Sequence, residues 1–300
     1  MTRVLVTGAT GFIGRQTLAP LRALGFDVHA TARTPPAEAG DVVWHAADLL
    51  DAGTPERLIA KVQPTHLLHM AWNAEPGRYW TTPENLAWAQ ASFALYRAFT
   101  EAGGQRAVGA GTCAEYDWSH SVCGEDVTPL APTTLYGAAK QAVGTLLCAY
   151  GAAHGPSTAW GRVFFLYGPH EHANRLVPAV VRGLLAGERV AVTHGRQVRD
   201  FMHVADVAAA FAALVAREDV LGPVNVASGE PISLRELIGQ IQGRIEGPGA
   251  VDFGARETPA GEPPVLLAEV RRLRDEVGFT PRFDLTTGLE DAIAWWRARG

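Results

Sequence analysis

The chain has 300 residues, 47% hydrophobic and 19% charged, which is ample for a large buried core and excludes an intrinsically disordered protein. Its net charge of -5 offers no basic surface for nucleic acid or an anionic membrane, and Cys113, Cys123 and Cys148 are too few and too scattered for a disulfide framework or a zinc site. No basic-then-apolar leader precedes Val4 and the longest apolar run, 207–216, is too short to span a bilayer, so a soluble cytoplasmic protein is expected.

The first element is also the most informative. Residues 3–6 read as a strand buried on both faces, and 15–24 as a helix with Leu18, Leu21 and Leu24 at helical spacing. Between them stand Gly8, Gly11 and Gly14, with Phe12 and Ile13 completing the turn. A strand, three glycines at this spacing and a helix form a dinucleotide-phosphate cradle. Gly8 permits the tight turn, Gly11 lets backbone approach the pyrophosphate, and Gly14 allows close helix–strand packing. The helix N-terminus adds free N–H groups and a partial positive charge.

A second strand is expected at 28–32. About 20 positions beyond the glycines an NAD site carries an acidic residue for the ribose hydroxyls. Here the strand runs out into Arg33, and no acid appears until Glu38. A guanidinium at that point suits a 2′-phosphate, the bland alternative being a solvated loop arginine. NADP(H) is therefore favoured over NAD(H). The third strand, 41–48, ends in Asp48-Leu49, where the carboxylate can accept from an adenine amine or cap a turn. A helix at 54–61 leads to a fourth strand at 66–71, whose last residue, Ala71, is small enough to sit beside the pyrophosphate. His69, inside that strand, reads as a hydrogen-bonded core residue. The aromatic segment 72–82, with Trp72 and Tyr79, either stacks on a sugar or base or covers the core.

A helix at 85–101 and a short strand at 107–111 precede a loop that opens with Thr112 and holds Tyr116 and His120. The next helix, to about residue 150, begins with Tyr136 and places Lys140 one turn on, so phenol and ammonium share a face. Lys61 and Lys140 are the only lysines among 26 basic residues, and an arginine, permanently charged, could not replace lysine in proton and ribose chemistry. Farther on, a sixth strand is expected at 163–166, helices at 174–185, 204–216 and 234–244, and a loop at 195–200. Strands are expected at 224–226 and 251–253, and closing helices near 266–277 and 285–297.

These features together resemble the extended short-chain dehydrogenase/reductase family, of the epimerase/dehydratase type that includes nucleotide-sugar 4-ketoreductases. The resemblance rests on TGATGFIG at 7–14, Asp48-Leu49, Thr112 four before Tyr116, PTTLYGAAK at 132–140, Arg162 ahead of YGP at 167–169, RDFMHVADVA at 199–208, and NVASGEPIS at 225–233. It implies that Tyr136 is the acid/base, that Lys140 binds the nicotinamide ribose, and that Thr112 hydrogen-bonds the reacting oxygen. The chemistry agrees: a neighbouring ammonium favours the phenolate of a tyrosine whose ordinary pKa is near 10. It further implies that Asn174 and Arg199 hold the diphosphate of a nucleoside-diphosphate sugar, and that two copies pack through the helices at 85–101 and 136–150. The chain departs from the dehydratases in carrying Cys113-Ala114 where an acid pair follows the threonine, and Arg256 is an offset candidate for a second phosphate-binding arginine near 259.

The βα alternation predicts an α/β fold: a Rossmann-type doubly wound parallel sheet with a smaller C-terminal substrate-binding domain. The expected division is 1–167 plus about 200–229 for the dinucleotide, and 168–199 with 230–300 for substrate. The expected activity is NADPH-dependent reduction of a nucleoside-diphosphate 4-keto-6-deoxyhexose. An NAD-dependent nucleotide-sugar 4-epimerase is the runner-up and a non-catalytic dinucleotide sensor a remote third. No metal is expected.

Overall fold

The computed structural model describes residues 2–37 and 40–299; Glu38 lies outside them. Its frame is a parallel sheet. From the centre, β1 (Arg3–Thr7), β2 (Asp27–Ala32) and β3 (Val43–Ala46) run outward to one edge. On the other side of β1 lie β4 (His66–His69), β5 (Arg106–Thr112), the strand Ser157–Val163 and, at the far edge, Gly222–Val226. The chain thus reverses direction across the sheet between β1 and β4, and that switch point opens a crevice at the carboxyl ends of the strands. Register brings those ends level, with Thr7 beside His69 and Thr112 beside Val163.

Helices cover both faces, as buried parallel strands require. α1 (Gly14–Ala23) lies on one face, and α2 (Thr54–Val62), α3 (Glu84–Glu101) and α4 (Leu135–His154) lie on the other. After α5 (Leu176–Leu185), the very apolar α6 (Val204–Ala216) returns to pack beside α1 through Val207 and Phe211. A separate core forms where α5 meets α7 (Leu234–Gln242) and α8 (Leu285–Arg297), through Val180, Leu237 and Leu289. Trp160, 2% exposed, is nested against Gly109, Gly111 and Gly144, three positions where any side chain would collide with its indole.

Four expectations differ from the structure. The sheet strand before Tyr167 is Ser157–Val163, not 163–166; the chain steps out of the sheet at Phe164, and Phe165–Tyr167 pairs instead with the strand Val198–His203. That strand also replaces part of the expected loop at 195–200. Arg199 and Asp200 are buried in it: Arg199 donates to the Pro263 carbonyl and Asp200 accepts from the Ala268 amide. The expected helix at 266–277 divides into the strand Val265–Ala268 and a π-helical turn at Arg272–Glu276. Pairing with Val198 and Arg199 on one side and Val122 and Cys123 on the other outweighs its helical periodicity. The third strand is trimmed to β3, and Arg189–Val192, in a stretch given no element, pairs with Ala250–Phe253.

Candidate active site

The glycine turn packs as tightly as its spacing demands. Gly8 has φ of 66°, and a Cβ there would lie 2.7 Å from the Ala71 amide nitrogen. A Cβ on Gly14 would run into the Gly8 carbonyl. The Gly11 amide donates to that carbonyl at 2.9 Å, and no side chain caps α1, whose Arg15 and Gln16 amides donate to the Gly11 and Ile13 carbonyls. This cradle fits a dinucleotide pyrophosphate. Phe12 is half-buried, while Ile13 packs on the sheet core. Arg33 is exposed immediately after β2 and makes no hydrogen bond or ion pair among the described residues. Asp48 accepts from the Leu50 amide at 3.0 Å, so one oxygen caps a turn, and Leu49 is buried beside it.

Behind the cradle a polar thread stiffens β1 against β4. Thr7 Oγ1 meets His69 Nδ1 at 2.7 Å, and His69 Nε2 meets Ser92 Oγ at 2.8 Å. Because Ser92 donates to the Trp88 carbonyl, its oxygen is left to accept from Nε2–H. Burial, helped by the Lys140 charge, pulls His69 down to about 3, so it stays neutral and connects core elements.

Tyr136 and Thr112 are brought together by α4. Thr134 caps that helix by accepting from the Gly137 amide at 3.1 Å. Gly137 allows the first turn to close on the Ala114 carbonyl, which any Cβ there would strike. Tyr136 then stands in an aromatic box, with Tyr79, Trp80 and Trp72 all edge-on to it at ring separations of 4.8, 5.8 and 6.3 Å. Asn85, fully buried, ties two walls of the box: it accepts from the Trp72 indole at 2.9 Å and donates to the Tyr79 carbonyl at 2.8 Å. This enclosure pushes the Tyr136 phenol up, and the neighbouring Tyr79 adds to it, against the Thr112 hydroxyl, which favours the phenolate. Lys140, 5% exposed, donates to the Ala110 carbonyl at 2.9 Å and lies 4.0 Å over the Trp72 ring. Burial pulls its ammonium down to about 7, and Glu115 opposes that.

Glu115 is a residue of the candidate site that the sequence reading missed. It accepts from the Thr112 amide at 2.8 Å, the Trp160 indole at 2.9 Å and Arg162 Nε at 2.8 Å, with only 1% of its side chain exposed. Its signal was present, since Thr112-Cys113-Ala114-Glu115 is a capping box. Tyr116 is closed off: its hydroxyl donates to Asn225 at 2.7 Å, accepts from Arg162 at 2.9 Å, and is buried.

On the substrate side, Asn174 and Arg256 line one cavity of about 550 Å³, together with Arg182 and Trp296. Arg199 is not among the lining residues. Its guanidinium is 3% exposed and spends its donors on Val198, Pro263 and Glu262. Arg175, adjoining Asn174, was not singled out from sequence; it lies over the Tyr79 ring at 5.4 Å. Among the described residues no cluster of three or more His, Cys, Asp or Glu could hold a metal, and no helix is long and apolar enough to cross a membrane.

Residues 4–227 match the model of the NAD dependent epimerase/dehydratase family. The chain is 29% identical over 328 residues to dTDP-glucose 4,6-dehydratase of Streptomyces griseus, covering 98% of this chain and 94% of that protein. It is 27% identical over 331 residues to UDP-glucose 4-epimerase of Corynebacterium glutamicum, covering 99% and 97%. The solved structure of MoeE5 in complex with UDP-glucuronic acid and NAD is similar with a TM-score of 0.84 at 28% identity, over 99% of this chain and all of that one.

Proposed function

From the premise that the chain belongs to the NAD dependent epimerase/dehydratase family, we propose that it is an NADPH-dependent 4-ketoreductase of a nucleoside-diphosphate 4-keto-6-deoxyhexose. The observation that carries this reading is Arg33, an exposed guanidinium with no partner among the described residues, directly after β2, where an NAD site would carry an acid. A reductive direction is further supported by Tyr136, whose phenol is held protonated by its aromatic enclosure and is thus an acid rather than a base at neutral pH.

A bound nicotinamide dinucleotide would supply the hydride. The chain's own part is proton delivery and orientation. Thr112 and Tyr136 bracket the ketone oxygen, and Tyr136 releases its phenolic proton to that oxygen as negative charge develops there. Lys140 provides the positive charge beneath them, anchored by the Ala110 carbonyl and the Trp72 face. Elimination of water finds no acid in Cys113-Ala114, and burial pushes the Cys113 thiol far above its ordinary value.

The division of labour follows the two cores: 1–167 with about 200–229 for the dinucleotide, 168–199 with 230–300 for the sugar nucleotide. The cavity holding Asn174 and Arg256 suits the nucleoside end, and the aromatic box suits the apolar C6 methyl of a deoxysugar. A largely apolar groove of about 700 Å³ between α3 and α4, lined by Phe93, Leu146 and Tyr150, supports a homodimer through these helices. A second reading, the NAD-dependent 4-epimerase, is favoured by the epimerase among the relatives and by the NAD bound to MoeE5.

One assay separates the two. Purified protein is given nucleotide-linked 4-keto-6-deoxyhexoses and NADPH. The reductase reading expects stoichiometric loss of NADPH with formation of a 6-deoxyhexose. It is overturned if no ketone consumes NADPH while 4-epimers form from saturated sugar nucleotides.

A further inference from the structure

A nucleotide sugar must bridge two places. Its nucleoside enters the cavity with Asn174 and Arg256, and its reacting carbon meets Tyr136. The diphosphate therefore lies at the joint between them, and a cation is needed there. Arg199, matched to that role by resemblance, has its donors committed to carbonyls and to Glu262. Arg175 is the arginine at the joint: it follows Asn174 in the chain, and its guanidinium sits 5.4 Å from the Tyr79 ring, which in turn is 4.8 Å from Tyr136.

Resting on the nucleotide-sugar reading above, we infer that Arg175 is the residue that grips the sugar-side phosphate. A flat guanidinium offers two parallel N–H donors to two phosphate oxygens, and a lysine would offer only a point charge. Arg175 is also the N-cap of α5, a helix end that no side chain caps. The nearby Glu171 is 8% exposed and keeps Oε2 without a hydrogen-bond partner among the described residues. Arg175 is the charged side chain that acts on it, yet burial pushes the Glu171 carboxyl up to about 8. It is therefore neutral at pH 7, and the charge of Arg175 remains available to an anion.

The test is calorimetric titration of the full chain with UDP and UMP, and with dTDP and dTMP, which differ only in the second phosphate. Wild type is expected to bind the diphosphates at least tenfold more tightly than the monophosphates. Arg175→Met should abolish that advantage and Arg175→Lys should restore part of it, with NADPH affinity and the melting midpoint unchanged in both. The inference is overturned if Arg175→Met keeps the diphosphate advantage, or if wild type shows none. Wild type that binds none of UDP, dTDP, ADP, GDP and CDP would overturn the nucleotide-sugar reading and this inference with it.

Discussion

Glu115 holds up the floor of the candidate site, and its removal has a calculable cost. In Glu115→Ala, three buried donors lose their acceptor: the Thr112 amide, the Trp160 indole and Arg162 Nε. Arg162, with 6% of its side chain exposed, would keep only the Tyr116 hydroxyl as a partner for one nitrogen. Breaking a buried pair and stranding the charge costs about 3–5 kcal/mol. Against a total stability of about 5–15 kcal/mol, that is about a fifth or more. With a urea slope of about 3 kcal/mol per M, the midpoint should fall by roughly 1–1.7 M at unchanged slope. Glu115→Ala combined with Arg162→Met should recover part of the loss, because no charge is then stranded, and the cycle should give a coupling of at least 1 kcal/mol. In Glu115→Gln the negative charge that holds the Lys140 pKa up is lost, so that pKa should move below about 7 and tight cofactor binding should retreat to lower pH. A midpoint shift worth less than 1 kcal/mol for Glu115→Ala, or a coupling near zero, would refute the reasoning.

Tyr136→Phe should reduce turnover by at least 10³-fold while NADPH affinity, read by fluorescence titration, stays within about twofold, since only proton delivery is lost. An active variant would place the acid elsewhere. Arg33→Asp should weaken NADPH binding by tenfold or more and shift preference toward NADH; equal affinity of the wild type for both would remove Arg33 from the site. Glu171 keeps its proton in the native state up to about pH 8, whereas an unfolded glutamate releases it near 4.5. The native state thus binds more protons between those values, and this residue lowers stability as pH rises from about 4.5 to 8. Glu171→Gln should then be more stable than wild type at pH 8, on the order of 2–4 kcal/mol, and equal to it at pH 4.5; equal urea midpoints at pH 8 would contradict the assignment. Sedimentation velocity should show a dimer at micromolar concentration and a monomer for Leu146→Asp, since Leu146 is 52% exposed on the groove between α3 and α4.

What could be read from sequence followed local periodicity and spacing. The glycine turn, the central strands and α4 carry their signals within a dozen residues, so the cradle and the Tyr136–Lys140 spacing were legible. The ionic partnership drawn for that pair was not. Lys140 leans onto Trp72 and the Ala110 carbonyl, and Tyr136 answers chiefly to its aromatic walls. The strand holding Arg199 and Asp200 reads as a loop because the partners of these two side chains, the Pro263 carbonyl and the Ala268 amide, lie more than sixty residues away in the chain. Residues 266–268 have helical periodicity and read as helix for a similar reason: their strand pairing is with 122–123 and 198–199, and nothing local announces it.

The nest around Trp160 also constrains how this sequence can drift. With Gly109, Gly111 and Gly144 all pressed against the indole, none of the three can acquire even a methyl group while the tryptophan remains. Replacing the tryptophan first would open a void in a close-packed region and take from the buried Glu115 carboxylate one of its three donors. Every first step is therefore unfavourable, and a route to another packing needs at least two simultaneous changes. The four positions should persist or turn over as one block, so that a descendant with a smaller residue at 160 should also carry a side chain at one or more of the three glycines.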